Sequence, residues 1–214
     1  MMSQELLSFL YFAIAVLICL TVHEASHALA SNYLGDPTAK LKGRLTLNPI
    51  KHLDFWGTLV FIITRGFGWG KPVPVNPMYF KNPVRDSAIV SLAGPFSNFL
   101  LSFALVFPMA YLYNYMPGFL NEFLWNLYHI SIFLGVFNLL PFPPLDGSKI
   151  IGLFIPKRYY YQYSQYLSQG VLYFLLIFLF DLLVLKSVLG FSLFSKVIYF
   201  MHDAVSMLLT LGVK

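Results

Sequence analysis

Apolar positions in this chain fall into long runs, and polar ones are confined to short breaks between them. From Leu6 to Ala30 the only charged side chain is Glu24 and the only imidazoles are His23 and His27. As a helix this stretch is about 37 Å long, enough to cross a bilayer. A first span is therefore predicted from Leu6 to Tyr33, stopped at Gly35-Asp36-Pro37. A second runs from Asp86 to Met116 and closes at Pro117-Gly118. A third runs from Glu122 to Leu140 and meets Pro141-Phe142-Pro143-Pro144-Leu145-Asp146-Gly147, which cannot continue a helix. Irregular backbone at membrane depth is tolerated only inside protein or beside water, so this break marks a site. The fourth span is Gly170 to Leu189, preceded by a tyrosine-rich interface belt at 159–166.

Two stretches do not read as spans. The tail, Phe191 to Val213, has apolar residues at 194, 197, 198, 201, 205 and 208, with Lys196, Asp203, Ser206 and Thr210 opposite. That pattern predicts a fifth helix with one polar side or an interfacial helix. Between the first two spans, prolines and glycines break residues 36–85 into short pieces. There Thr58–Thr64 reads as a strand-like or re-entrant segment, and Gly70–Pro77 as an extended rim. The fold class is an all-α polytopic membrane protein: four transmembrane helices, the C-terminal fifth or interfacial helix, and a short β or re-entrant segment after the first span. It forms one domain over 1–214, with core motifs in 20–150 and C-terminal helices in 165–214.

Composition agrees with the pattern. Of 214 residues, 58% are hydrophobic and 11% charged, where a soluble domain carries about a quarter charged. Ala28-Leu29-Ala30 resembles a signal-peptide cleavage site, but the leader carries Glu5 and no Lys or Arg and the apolar run is too long, which argues against that reading. The net charge of +5 is spread over loops, which points to topology and lipid headgroups and not to nucleic acid. The 36–85 loop holds Lys40, Lys42, Arg44, Lys51, Arg65, Lys71, Lys81 and Arg85; the 156–168 loop adds Lys157 and Arg158; the turn at 117–122 has none. This bias places both basic loops in the cytoplasm and the N-terminus outside. The single cysteine, Cys19, excludes an internal disulfide and reads as a small buried hydrophobe.

Candidate chemistry sits on this frame. His23-Glu24-Ala25-Ser26-His27 on a helix projects both imidazoles from one face, with the glutamate beside them, a zinc-site arrangement. His23 lies about 18 Å inside the Gly35 end of its span, and Asn98 about 18 Å inside the Asp86 end of the next. Asp146 lies in the broken end of the third span on the same side. A catalytic zinc takes three protein ligands, so His23 and His27 need a third, and Asp146 is the best candidate by depth; the alternative is a helix N-cap. Glu24 is the candidate general base. Asn98 is a candidate catalytic group that stabilises an oxyanion or holds a substrate carbonyl; the alternative is an interhelical hydrogen bond.

These motifs, with Gly94-Pro95-Phe96-Ser97-Asn98 and Asn138-Leu139-Leu140-Pro141 leading to Asp146-Gly147, resemble the three signatures of the site-2 protease family of intramembrane zinc metalloproteases. Asn48-Pro49-Ile50-Lys51-His52-Leu53-Asp54 and Gly68–Pro77 resemble its compact prokaryotic branch without PDZ or CBS domains. The resemblance covers residues 20–150. It implies one Zn2+ per chain on His23, His27 and Asp146, Glu24 as base, a role near the site for Asn98, and Asn138 as a neighbouring or substrate contact. It implies cleavage of transmembrane protein substrates, often after a first cut by another protease, in a prokaryotic cell membrane. Such a substrate must unwind, and an extended edge at Thr58–Thr64 would pair with it by β-addition.

Two other functions fit the composition, a divalent metal transporter and a catalytically silent binding protein for membrane clients. Clustering of the ionisable residues in one layer argues against transport, and an intact Glu24 argues against silence. Of the remaining histidines, His52 reads as a loop-structuring residue, His129 as an interior hydrogen-bond partner, and His202 as part of the tail's polar side.

Overall fold

The computed structural model describes residues 3–211. Helices account for 77% of the chain and no strand occurs among the described residues, as expected for an all-α protein. The principal helices are α1 (Gln4–Tyr33), α2 (Phe55–Thr64), α3 (Pro83–Tyr111), α4 (Gly118–Asn138), α5 (Tyr160–Phe180) and α6 (Leu193–Leu209). Among the described residues three helices are long and apolar enough to cross a membrane: α1, α3, and the continuous stretch Lys157–Val188 built on α5. At 21 residues α4 has the length, but Glu122, Asn126 and His129 dilute its hydropathy.

Helices α1, α3 and α4 pack on one another and make the core, in which Ala15, Cys19, Val106, Ile132 and Val136 are buried. In an apolar solvent helices gain little by burying more apolar surface, so small residues and hydrogen bonds fix the contacts. Here Ser131 donates to the Asn98 carbonyl at 2.8 Å, Ser102 to the Tyr128 carbonyl at 3.3 Å, and the Asn98 amide to the Cys19 carbonyl at 3.2 Å. These bonds tie all three helices at one level. Cys19 is fully buried and its thiol faces the Leu127 carbonyl at 3.7 Å, so it behaves as the expected core residue.

The expected β segment at Thr58–Thr64 is instead the second half of α2. Asp54 caps this helix by accepting from the Gly57 N–H at 2.8 Å. The β-branched and aromatic run Val60-Phe61-Ile62-Ile63-Thr64 favours a strand locally, but no second strand lies among the described residues to pair with it. A helix satisfies its backbone internally, which decides the outcome in an apolar setting. The β-addition edge expected here is therefore absent, and the nearest feature is a single bridge between Leu53 and Gly70. Phe61 stacks on Phe9 and Phe12 of α1 at 6.0 and 5.8 Å, and Arg65 lies over the Phe9 ring. Thus α2 lies along the N-terminal half of α1, with its tip beside the start of that helix. Arg65, counted above with the cytoplasmic basic residues, sits at the opposite end of α1 from Gly35.

The C-terminal region partly departs from its pattern. The tyrosine belt forms the first turns of α5, and the helix continues through a π-turn at Asp181–Leu185. The buried Asp181 carboxylate accepts from the Ser192 hydroxyl and the Leu193 N–H and so anchors the start of α6. On α6, Ser206 bonds the Tyr128 hydroxyl at 2.9 Å and His202 faces His129 at 3.0 Å. Both were expected on the side away from the apolar stripe and instead tie α6 to α4. The tail's expected end at Val213 lies outside the described residues.

Asp36, at the end of α1, is fully buried and accepts from Ser31 Oγ at 2.9 Å, the Thr38 N–H at 2.9 Å and the Asn76 N–H at 2.7 Å. Burial pushes its carboxyl up, but these donors outweigh it and hold the group below its ordinary 3.8. A depressed carboxylate stabilises the fold above its unfolded pKa, and the contribution is lost as pH falls through the folded value. Asp36→Asn is therefore expected to lower the thermal midpoint at pH 7, by about 1–3 kcal/mol of stability. Thermal unfolding in detergent checks this, and the gap between wild type and variant should close on acidification below about pH 4.

Candidate metal centre

The first turn of the site is set by α1. His23 and His27 are four positions apart, so their Nε2 atoms meet on one face at 3.0 Å, with the rings nearly perpendicular. Asp146 Oδ2 approaches each Nε2 at 3.1 Å. Asp146 reaches this point because the chain turns back on the end of α4. A Cβ at Gly147 would lie 2.2 Å from the Leu139 carbonyl oxygen, so only glycine permits the turn. Asp146 precedes the short helix Gly147–Ile150, but its side chain makes no cap bond there.

The outer nitrogens of both rings are committed. His27 Nδ1 faces the Val90 carbonyl at 2.7 Å, so it carries the proton and donates. His23 Nδ1 lies 2.7 Å from Asn98 Oδ1. The Asn98 amide nitrogen bonds the Cys19 carbonyl and Ser131 Oγ, so its oxygen must face the imidazole. His23 therefore donates from Nδ1 as well, and neutral rings present both Nε2 lone pairs inward. Two imidazole lone pairs and a carboxylate oxygen, mutually within 4.8 Å and shielded from water, repel one another unless a cation lies among them. The donor set of two nitrogens and one oxygen suits zinc with an open position. Helix α3 gives this cluster its room: a Cβ at Gly94 would sit 2.5 Å from His27 Nε2 and 2.6 Å from His23 Cε1.

Of the two roles open to Asn98, the geometry fits the interhelical hydrogen bond. It is fully buried, its oxygen is held by His23, and its nitrogen is held by Cys19 and Ser131. No donor remains for an oxyanion or a substrate carbonyl; the residue orients an imidazole and bonds between helices. Asn138, linked by resemblance to the site, turns its amide back to the Leu134 carbonyl of its own helix at 3.0 Å. Glu24 lies beside the histidines with its side chain mostly covered. Its Oε2 accepts the Val73 N–H at 2.9 Å and lies 4.0 Å from an Arg44 nitrogen. Burial lowers the Arg44 guanidinium from its ordinary value, and the Glu24 carboxylate opposes that. His52 structures the loop as expected, with Nε2 donating to the Thr46 carbonyl at 2.8 Å.

Gly94 stood in a quoted motif without a role of its own, and the motifs did not point to Val90 or Arg44 as parts of the site. Gly94 and Asn98 are four apart on α3, and that spacing was the available signal. Val90 contributes only a backbone carbonyl, which no side-chain pattern reports.

Residues 11–180 match the family described as Peptidase family M50. The chain is 42% identical over 175 residues to a Bacillus subtilis protein named "Putative zinc metalloprotease YwhC", covering 78% of this chain and 80% of that one. It is 34% identical over 149 residues to a Mycolicibacterium smegmatis protein given the same designation, Rip2, covering 61% of this chain and 52% of that one. No solved structure matches.

If Asn98 sets the His23 imidazole, Asn98→Ala should weaken zinc binding about 10- to 100-fold while leaving the chain folded. Competition against a fluorescent chelator measures it. Gly94→Ala, which places a methyl against both rings, should lose zinc altogether.

Proposed function

The chain belongs to peptidase family M50, and from that premise we propose that it is a zinc-dependent endopeptidase that cleaves membrane-protein substrates within or near their transmembrane segments. The observation that carries this reading is the convergence of His23 Nε2, His27 Nε2 and Asp146 Oδ2 in a buried cluster with Glu24 beside it. The relatives' designation as zinc metalloproteases supports zinc as the ion.

A zinc ion held there supplies Lewis acidity, lowering the pKa of water and polarising a peptide carbonyl. The protein residues do the rest. His23 and His27 remain neutral ligands because Asn98 and Val90 fix their protons on Nδ1. Glu24 takes the proton from the attacking water and delivers it to the leaving amine. The surrounding helices exclude bulk water, which strengthens each of these interactions.

In this reading α1, α3, α4 and α5 cross the membrane, with α6 alongside α4. The N-terminus is outside and the metal cluster opens toward the cytoplasmic side. The basic residues Lys40, Lys42, Lys51, Lys81 and Arg85 support that orientation even with Arg65 removed from the count. The substrates are transmembrane proteins, some already cut once by another protease.

Glu24→Gln is expected to retain about one zinc per chain and to lose about 10²- to 10⁴-fold in cleavage rate. Asp146→Ala should lose most of the zinc and all activity. Elemental analysis and cleavage of a reconstituted transmembrane substrate check both. Full activity in Glu24→Gln would refute the base assignment, and zinc retained in Asp146→Ala would refute the ligand set.

A further inference from the structure

The proline-rich strap Lys71–Asn76 crosses the site in a conformation dictated by its sequence. Pro72 and Pro74 have no N–H and hold their preceding residues extended. Lys71, Val73 and Val75 therefore carry the donors of this stretch, followed by Asn76. Lys71 donates to the His52 carbonyl at 2.8 Å, Val73 to Glu24 Oε2 at 2.9 Å, and Asn76 to Asp36 at 2.7 Å. The strap's carbonyls are held from behind by one side chain. Arg44 is 5% exposed, deep for a loop arginine. Its guanidinium donates to the Pro72 carbonyl at 3.0 Å and to the Lys71 carbonyl, and reaches His52 Nδ1 at 3.4 Å. His52 receives that contact because its other nitrogen donates to the Thr46 carbonyl, leaving a lone pair on Nδ1. One nitrogen of the guanidinium lies 4.0 Å from the Glu24 carboxylate itself.

We infer that Arg44 is a positioning residue for Glu24: by clamping the carbonyls of Lys71 and Pro72, it presents the Val73 N–H that holds one oxygen of the glutamate and so aims the other. A carboxylate on a flexible stem has many rotamers, and a base must keep a fixed geometry toward the proton it removes. The planar guanidinium suits two adjacent carbonyls in a way an ammonium does not. This inference rests on the reading of Glu24 as the base for its catalytic consequence, but the link itself exists independently of catalysis.

The test uses the full-length chain in detergent or lipid. Glu5, Glu24 and Glu122 are its only glutamates, so carbon-13 glutamate labelling and subtraction of Glu24→Gln isolate the Glu24 carboxylate band in infrared spectra. Arg44→Met and Val73→Pro should each shift that band, and Arg44→Lys should shift it less. Val73→Pro removes the donor without altering the Arg44 side chain, so it carries the test if Arg44→Met does not fold. Each change should lower kcat about 10- to 100-fold with zinc retained and KM within about twofold, because the loss falls on the reacting geometry. The double variant should lose no more than either single one, since both act through one bond. An unshifted band in Arg44→Met, or losses that multiply in the double variant, would overturn the inference. A shifted band in a zinc-loaded protein that cleaves nothing would uphold the Arg44–Glu24 link and refute the protease reading instead.

Discussion

Three electron-rich atoms held about 3 Å apart inside a bundle of apolar helices are the constraint on which the rest of this structure depends. In water such an arrangement would relax by rotation or protonation. Here neither imidazole can rotate, because Asn98 and the Val90 carbonyl grip the outer nitrogens. Asp146 cannot withdraw, because Gly147 is pressed onto the end of α4. Much of the polar content of the core serves this grip. Ser131 and the Cys19 carbonyl fix the Asn98 amide, and by doing so they also lock α1, α3 and α4 together. The bonds that hold the bundle are thus the bonds that orient the ligands. Stability and metal geometry are therefore coupled through the bonds among Asn98, Ser131 and Cys19.

The loop between α1 and α3 carries a second layer of the same design. It does not simply connect two spans across the membrane surface. Asp36 gathers Ser31, Thr38 and Asn76 at one end, and Arg44 gathers Lys71, Pro72 and His52 in the middle. Between these anchors the strap is fixed over Glu24 with little freedom left, since its prolines have already removed much of its backbone entropy. Two anchors on either side of Val73 make the position of one N–H a property of the whole loop.

How much of this was readable from the sequence varies residue by residue, for physical reasons. The His23–His27 pairing was legible because helical periodicity alone places residues four apart on one face. Asp146 was legible because a proline break at matching depth leaves few other ways to use a carboxylate. Asn98 was read with two roles open, and the structure favours the interhelical bond while adding a contact to His23 that depends on which way an amide faces. The strand at Thr58–Thr64 failed because propensity describes a single segment, whereas a strand requires a partner that the described residues do not provide. Arg44 and Arg65 were read as loop charges because a basic residue in a polar stretch usually is one. Only three-dimensional placement shows one inside a hydrogen-bonded knot and the other beside the far end of α1.

That reassignment bears on orientation. The positive-inside argument counts charges that face water near a membrane end, and its strength comes from asymmetry between the two sides. Removing Arg44 and Arg65 from the cytoplasmic tally leaves five residues of 36–85 besides Lys71, together with Lys157 and Arg158, against a 117–122 turn that still has none. The bias therefore survives the loss of two of its members. A buried arginine also costs free energy that a surface one does not, and it persists only where its donors are satisfied. Arg44 meets part of that condition: its two terminal nitrogens bind the backbone carbonyls of the strap while the buried Nε finds no partner, so a charge excluded from the topology count sits at the point where the loop meets the glutamate.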